Sequence, residues 1–222
     1  MSTAVAIVSG GLDSVTLAHF LHAEGYALHL LAFDYGQRHK KELAFAEQCA
    51  RRLDARYNVI DLSMVGAFLK GSALTDTIPV PDGHYTDATM AITVVPNRNA
   101  IMLTIAYGIA VAEQAELVAI GAHAGDHAIY PDCRPAFITA FDAMQRIAVE
   151  GFGHQHLRLE APFIHLAKQQ IVRLGSVLGV PYAETWSCYK GGDKHCGTCG
   201  TCFERREAFQ LAQVPDPTAY EE

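Results

Sequence analysis

The chain has 222 residues, 50% of them hydrophobic and 18% charged, and its formal net charge is -7. This composition excludes a disordered chain and predicts a globular protein with a large core. The negative charge provides no general attraction to nucleic acid phosphates, so we expect no direct nucleic acid partner.

Signals for membrane insertion or export are not evident in the sequence. No stretch approaches the roughly 18 to 20 apolar residues of a membrane span, and the amino terminus lacks the basic start of a secretory signal. We therefore expect a cytoplasmic protein with no membrane partner. Because that compartment keeps thiols reduced, clustered cysteines predict a metal site in preference to disulfides.

Short apolar runs alternate with helical patterns along the chain. Strands are predicted at 4–8, 28–33, 57–60, 117–120 and from 157, and helices at 14–23, 40–53, 99–115, 135–149 and 165–178. Residues 63–96 are predicted to form an irregular loop region over the sheet. The alternation predicts an α/β fold with a doubly wound parallel sheet, which binds ligands beyond the carboxyl ends of its strands. We expect one domain over residues 1–222, with a zinc-binding segment at 187–203 inside it.

A glycine turn, Ser9–Ser14, lies between the first predicted strand and the first predicted helix. Such a turn lets the backbone approach a phosphate, and the free amides at the helix start, with the helix dipole, hold the anion. Ser9 and Ser14 can add hydroxyl donors, whereas Asp13 would repel phosphate unless it caps the helix or helps hold Mg²⁺. The turn matches neither a Walker A loop nor a Rossmann fingerprint. An ordinary strand–helix turn is the alternative.

The sequence Ser-Gly-Gly-Leu-Asp-Ser of this turn resembles the PP-loop of the N-type ATP pyrophosphatases. These enzymes adenylate a carboxylate or carbonyl oxygen and release pyrophosphate. The resemblance implies a fold like that of the adenine nucleotide alpha hydrolases and a site for ATP, with Mg²⁺, as co-substrate. It implies that the nucleotide is held by one continuous stretch: Val8, Ser9, Gly10, Gly11, Leu12, Asp13, Ser14, Val15, Thr16, Leu17 and Ala18.

Lys168 lies at the start of a predicted helix that follows the last strand. Proteins similar to this one place a lysine there against the ATP phosphates, where a cation offsets charge on the leaving pyrophosphate. A solvated surface lysine is the alternative. The implied catalytic residues are Ser9, Asp13, Ser14 and Lys168.

Four of the six cysteines are clustered near the carboxyl terminus, namely Cys188, Cys196, Cys199 and Cys202. Three closely spaced thiolates would wrap one side of a metal, and Cys188 would supply the fourth. Tetrahedral thiolate coordination favours one zinc ion per chain. With four protein ligands such a site has no open position, so its role is expected to be structural. An iron–sulfur cluster is the alternative.

Three further polar clusters lie where this sheet type binds ligands. They are Phe33–His39, Val95–Asn99 and Tyr130–Arg134. Together with the PP-loop and the four cysteines, they resemble the 7-cyano-7-deazaguanine synthase family of the queuosine pathway over nearly the whole chain. The resemblance implies the substrates 7-carboxy-7-deazaguanine, ammonia and ATP. The acid would be adenylated, ammonia would displace AMP to give an amide, and a second ATP would convert the amide to a nitrile.

Candidate substrate contacts come from the same clusters. Arg38, Arg98 and Arg134 are cations suited to carboxylate or phosphate groups, and Asp126 or Asp132 could accept hydrogen bonds from the edge of a guanine-like ring. Surface salt bridges are the alternative for each. Cys133 is a candidate nucleophile, but we prefer a packing or wall role because adenylate chemistry needs no thiol.

Two rival functions remain open from the sequence. A tRNA sulfur-transferase shares the PP-loop and would use the cysteines for an iron–sulfur cluster, but the acidic charge and the lack of an appended RNA-binding domain oppose it. A nucleotide-binding regulator needs only the ATP site, which leaves the polar clusters unexplained. The exposed edge of such a sheet makes a homodimer reasonable, and we expect free ammonium to supply the nitrogen.

Overall fold

The computed structural model describes residues 2–38, 40–84 and 91–221. Five parallel strands form one sheet in the order β3-β2-β1-β4-β5. The strands are β1 (Thr3–Ile7), β2 (Ala27–Asp34), β3 (Arg56–Asp61), β4 (Leu117–Ala119) and β5 (Arg158–Glu160). The predicted parallel sheet is therefore confirmed.

The central strand β1 is buried on both of its faces. Ala4 and Ala6 point into one hydrophobic cluster, and Val5 and Ile7 point into the other. This alternation follows from the two-residue period of a strand. Buried parallel strands need apolar residues on both sides, which explains why the segment reads as a continuous apolar run.

Helices cover both faces of the sheet. They are α1 (Leu12–Ala23), α2 (Lys41–Arg52), α3 (Ser63–Gly66), α4 (Arg98–Ala112), α5 (Pro135–Ala148), α6 (Lys168–Val177) and α7 (Gly200–Ala212). Apolar residues of α1, α2, α6 and α7 pack in one cluster, and those of α4 and α5 pack in the other. This is the doubly wound arrangement. No helix formed by the described residues combines the length and apolarity needed to cross a bilayer.

Several boundaries differ from the prediction. Helix α1 begins at Leu12, two residues before the predicted start. Helix α4 ends at Ala112 because the left-handed backbone of Gln114 (φ 53) stops it before residue 115. Helix α6 begins at Lys168, not at 165. Helix α7 was not predicted, since its first turn lies inside the cysteine run.

The predicted loop region 63–96 is only partly irregular. It opens with the short helix α3, and Asp82 later forms a bridge with Cys199. Residues 85–90 of this region, and His39 of the cluster after β2, lie outside the described residues.

The order of the strands places a crevice at the carboxyl ends of β1 and β4. From β1 the chain goes to β2 on one side, whereas β4 lies on the other side of β1. Ligands bind at such a switch point in open α/β sheets. The connections that follow β1 and β4 are therefore the segments that form the site.

Candidate active site

A cavity of about 260 Å³ opens at this crevice. Its wall combines the turn after β1, the segment after β4 and the starts of α4, α6 and α7. The predicted site residues that line it are Val8, Ser9, Gly11, Leu12, Asp13, Ser14, Arg98, Asp126, Lys168 and Cys188. One cavity thus brings together the PP-loop, the predicted lysine and part of the cysteine segment.

The backbone of the phosphate loop, Ser9–Ser14, requires glycine at its second position. Gly10 has φ +87, and a Cβ there would lie 2.2 Å from the carbonyl oxygen of Glu42. Gly11 caps α1 without a side-chain hydrogen bond, so no side chain occupies the amides of the first turn. The hydroxyls of Ser9 and Ser14 lie 3.2 Å apart beside them. Free amides, hydroxyls and a helix dipole form an anion site.

Five charged or titratable residues form what we call the acidic cluster, namely Asp13, His123, Asp126, Lys168 and Glu204. Lys168 Nζ lies 2.5 Å from Glu204 Oε2 and 3.4 Å from Asp13 Oδ2. Burial lowers the pKa of Lys168, but the nearby carboxylates of Asp13 and Glu204 together have the larger effect and raise it. The lysine therefore stays cationic. The other oxygen of Asp13, Oδ1, is buried and has no hydrogen-bond partner among the described residues.

Two residues of the acidic cluster, His123 and Glu204, were not among the predicted site residues. His123 Nδ1 accepts a hydrogen bond from Gly125 N, so Nε2 carries the proton in the neutral ring. That Nε2 lies 3.8 Å from Asp13 Oδ2 and 3.7 Å from Asp126 Oδ2. His123 therefore presents an N–H between two carboxylates. Its position after β4 was the available signal, whereas Glu204 lies on the helix that was not predicted.

A second part of the polar wall of the cavity is what we call the tyrosine cluster, namely Tyr35, Glu42, Arg98, Tyr130 and Tyr189. Burial opposes the charge of Arg98, but the three tyrosines outweigh it and raise its pKa. Burial raises the pKa of Glu42 to about 7, against the opposing effects of Arg98 and Gln37. The cluster combines flat rings with one cation and one carboxyl group.

Three predicted substrate residues do not line the cavity. Arg38 is exposed and donates to the carbonyl of Ile78 at 3.1 Å. Arg134 is also exposed and donates to a backbone carbonyl, that of His127, at 2.7 Å. Asp132 accepts from the amide of Asn99 at 3.1 Å and so caps the start of α4. Each of these three side chains therefore forms a hydrogen bond with the backbone of a loop or a helix end.

The predicted nucleotide-binding stretch continues beyond the residues that line the cavity. Val15, Leu17 and Ala18 pack in the hydrophobic core. Thr16 is buried and donates to the carbonyl of Leu12 at 2.8 Å. The stretch that lines the cavity therefore ends at Ser14, because the next turn of α1 faces the sheet.

Cys133 lines the cavity beside α4. Burial raises the pKa of its thiol, and Asp126 adds to the effect. Asn99 Nδ2 contacts its Sγ at 3.2 Å. The thiol is therefore protonated at neutral pH, which favours the wall role over that of a nucleophile.

The four clustered cysteines bring their sulfur atoms within 4.8 Å of one another. The Sγ of Cys202 lies 3.9 Å from that of Cys196 and 3.5 Å from that of Cys199. Tetrahedral metal–sulfur bonds of about 2.3 Å require sulfur separations of about 3.8 Å. The predicted ligand set therefore converges, and its geometry can hold a metal ion.

A short stretch of chain, residues 186–188, links the four clustered cysteines to the phosphate loop. Trp186 N donates to the carbonyl of Gly10 at 2.9 Å, and Cys188 follows two residues later. Behind this stretch the fully buried Arg205 donates to Thr185 Oγ1 at 2.9 Å and to Ser187 Oγ at 3.0 Å. The position of the loop is thereby tied to α7 and to the cysteines that open it.

Two structural comparisons support the fold. An NMN synthetase from Francisella tularensis matches 96% of this chain and 78% of its own, with a TM-score of 0.50 and 17% sequence identity. An NH3-dependent NAD synthetase from Campylobacter jejuni matches 96% and 76%, with the same TM-score and identity. At this identity the likeness concerns the fold alone.

Sequence comparisons are more specific. A 7-cyano-7-deazaguanine synthase from Rhizobium johnstonii is 59% identical over 98% of this chain and 92% of its own length. The synthase of the same description from Brucella ovis is 58% identical over 98% and 93%. The family described as queuosine biosynthesis protein QueC matches residues 3–213. The chain belongs to the QueC family.

Proposed function

We propose that this enzyme is a 7-cyano-7-deazaguanine synthase, an ATP-dependent ligase that converts 7-carboxy-7-deazaguanine and ammonia to the nitrile. One observation carries the proposal: the phosphate loop and Lys168 face the same cavity as a separate cluster of rings, one cation and one carboxyl group. The phosphate loop and Lys168 suit the phosphates of ATP, and the rings and polar groups of the second cluster suit a small planar acid. Membership of the QueC family supports the substrate.

The geometry favours attack at the α-phosphorus. The amides of the loop and Lys168 would hold the terminal phosphates, which leaves the α-phosphorus open to the substrate carboxylate. Pyrophosphate then leaves as the acyl adenylate forms. Ammonia displaces AMP to give the amide, and the amide oxygen is activated in the same way by a second ATP. The loss of the second AMP leaves the nitrile.

The acidic cluster fits a magnesium ion that accompanies ATP. Asp13 Oδ1 is buried without a partner among the described residues, and carboxylate oxygens are ligands that Mg²⁺ prefers. Asp13 would hold the ion, which would neutralise phosphate charge when bound. Lys168 would keep Asp13 in place, since its Nζ lies 3.4 Å from that carboxylate.

The remaining substrate candidates are Arg98 and Asp126, because both line the cavity. Asp126 lies beside His123 in the acidic cluster, which favours a role near the phosphates. Arg98 lies among three tyrosines, which favours a role near the base. Both assignments are part of the proposal.

We assign zinc to the four cysteines, in a structural role. Closed tetrahedral thiolate sites favour zinc. Elemental analysis of anaerobically purified protein is expected to find about one zinc per chain. An absorption band near roughly 400 nm would instead indicate an iron–sulfur cluster and contradict the assignment.

We further propose that residues 1–222 form one catalytic domain, with residues 187–203 as its metal segment, that works in the cytoplasm without contacting nucleic acid. Homodimers are favoured by exposed apolar side chains near the sheet edge at β3. They include Val59, Met64 and Phe68, the last two more than 80% exposed. Sedimentation analysis of wild-type protein and of Phe68→Asp tests this: a monomer in both would contradict it.

The reaction is tested by incubating the protein with ATP, Mg²⁺, ammonium and 7-carboxy-7-deazaguanine. Mass spectrometry is expected to detect first the amide and then the nitrile, and chromatography is expected to detect AMP and pyrophosphate. Nitrile formed together with ADP would support the assigned substrate but contradict attack at the α-phosphorus, because ADP is formed by transfer of the γ-phosphoryl group. Bound ATP without nitrile would favour a regulator.

A further inference from the structure

The tyrosine cluster contains one acid, Glu42, to which the reaction steps give no role. Its side chain extends from the first turn of α2 and lines the cavity. Gln37 Nε2 contacts its Oε1 at 3.4 Å, a long hydrogen bond. Gln37 is itself fixed, because its Nε2 donates to the carbonyl of Phe33 at 3.1 Å and its Oε1 accepts from Tyr35 N at 2.9 Å. Glu42 is thus held in place with most of its acceptor capacity available.

Arg98 is the nearby cation, yet no direct ion pair joins it to Glu42 in the described part of the chain. Both line the same cavity, and the charge of Arg98 lowers the pKa of Glu42 against the larger, opposite effect of burial. A half-buried carboxyl group with only one long hydrogen bond is costly to charge. A ligand that brings N–H groups to Glu42 would remove that cost.

The proposed substrate has such groups. A guanine-like ring carries N1–H and a 2-amino group on one edge, and these two parallel donors match the two oxygens of a carboxylate. The rings of Tyr35, Tyr130 and Tyr189 lie in the same part of the wall and can flank a planar base.

The other carboxylates near the cavity are less suited to the base. Asp126 belongs to the acidic cluster, where its Oδ2 faces His123 Nε2 at 3.7 Å and accepts from His123 N at 3.3 Å. Asp132 caps α4 and does not line the cavity. Asp13 and Glu204 both contact Lys168.

We propose that Glu42 determines base specificity by accepting hydrogen bonds from the N1–H and the 2-amino group of the substrate ring. The inference rests on the proposed function and names the residue that selects its substrate. It makes Glu42 a substrate-binding residue, not a participant in the adenylation.

The test compares 7-carboxy-7-deazaguanine with the analogue that lacks the 2-amino group, using wild-type protein and Glu42→Gln. Glu47→Gln is the matched control, because Glu47 lies on the exposed face of the same helix. Wild-type protein is expected to prefer the guanine-like acid by roughly 100-fold or more in kcat/KM. Glu42→Gln is expected to lower kcat/KM for that acid by roughly 100-fold, mainly through KM, and to reduce the preference to less than about 10-fold.

The KM for ATP is the second measurement, and it is expected to change less than about twofold in Glu42→Gln. A rise confined to the KM for ATP would assign Glu42 to the nucleotide and overturn the inference, as would an unchanged preference for the 2-amino group. Calorimetric binding of the acid to unreacting protein provides the same comparison without turnover. Absence of nitrile with wild-type protein is the separate sign that the proposed function has failed. If the wild type also fails to bind the acid, the inference falls with it.

Discussion

The phosphate loop and the cysteine turn, Cys196–Cys202, both lead into a helix, but they direct their backbone amides differently. In the phosphate loop the amides of Ser9 and Gly11 donate to serine hydroxyls at 3.2 and 3.4 Å, but no side chain caps α1, so the amides of its first turn remain available to an external anion. In the cysteine turn the amides of Thr198 and Cys199 donate to Cys196 Sγ at 3.4 and 3.3 Å. We therefore expect the first loop to bind its ligand through its backbone, and the second to use its backbone to orient a side-chain metal ligand.

The difference predicts that the two loops respond differently to mutation. A protein whose loop binds through its backbone is expected to fold normally when side chains of that loop are changed. Its ligand affinity, however, is expected to fall when the main chain of the loop is displaced. A turn that binds through side chains loses its structure with a single ligand, because metal binding and folding are coupled there.

The largest effect is expected for Cys199→Ser. Loss of one thiolate is expected to reduce the metal content from about one ion per chain to nearly zero, with loss of soluble protein, since metal binding of roughly 10 kcal/mol or more contributes to folding. Elemental analysis and soluble yield measure both. Cys49→Ala, a buried cysteine of α2 outside the cluster, is expected to retain the metal. A fully metallated Cys199→Ser protein would refute the ligand set.

Asp13→Ala and Ser14→Ala are expected to abolish turnover, with kcat at least roughly 1,000-fold lower, while the melting temperature changes little. The reason is that both side chains line the cavity at the anion site. Pyrophosphate release measures turnover, and thermal unfolding measures the fold. Ser176→Ala, at an exposed position of α6, serves as the control. Normal turnover in both loop variants would place the ATP site elsewhere.

Gly10→Ala and Gly25→Ala separate the geometry of the phosphate loop from simple backbone strain. Both glycines have φ +87, but a Cβ would meet the carbonyl of Glu42 at 2.2 Å only at Gly10, and nothing within 4 Å at Gly25. Gly25→Ala is expected to lose about 1 to 2 kcal/mol of unfolding free energy with a normal KM for ATP. Gly10→Ala is expected to lose more and to raise that KM by roughly 10-fold. Equal KM values would show that the loop backbone is not the phosphate ligand.

The smallest effect is the pH dependence. Burial raises the pKa of Glu42 from 4.5 to about 7, so kcat/KM for the acid is expected to rise with pH through about 7 as the accepting carboxylate forms. In Glu42→Gln this rise is expected to disappear. The same shift stabilises the folded protein at low pH, and this contribution is lost as pH rises from about 4.5 to about 7. A kcat/KM profile unchanged by the substitution would contradict the assignment.

The phosphate loop and the cysteine ligands could be predicted because each lies within a short stretch of sequence. The strand–turn–helix context predicts Ser9–Ser14 without knowledge of distant contacts, and cysteine spacing predicts a metal site whose four sulfur atoms the structure brings together. Lys168 also was placed at a helix start, where the structure has it.

The tyrosine cluster could not be predicted in the same way, because its members come from segments far apart in the sequence. Glu42 looks like any charged residue in the first turn of an amphipathic helix, and only tertiary packing places it, half-buried, in the wall of the cavity. Arg38 and Arg98 are equivalent by sequence, yet Arg98 lines the cavity and Arg38 donates to a loop carbonyl. Partner choice of this kind depends on the folded backbone.

The position of β1 also affects the order of events during synthesis. This strand is made before the other four strands, yet Ala4 pairs with Leu117 of β4. At roughly 5 to 20 residues per second, translation of the intervening segment takes roughly 6 to 20 s. Throughout that interval one edge of the central strand has no pairing partner in the emerging chain, and such edges promote aggregation. Lys168 and the four cysteines emerge later still, so the proposed nucleotide and metal sites can form only after β4 has been made.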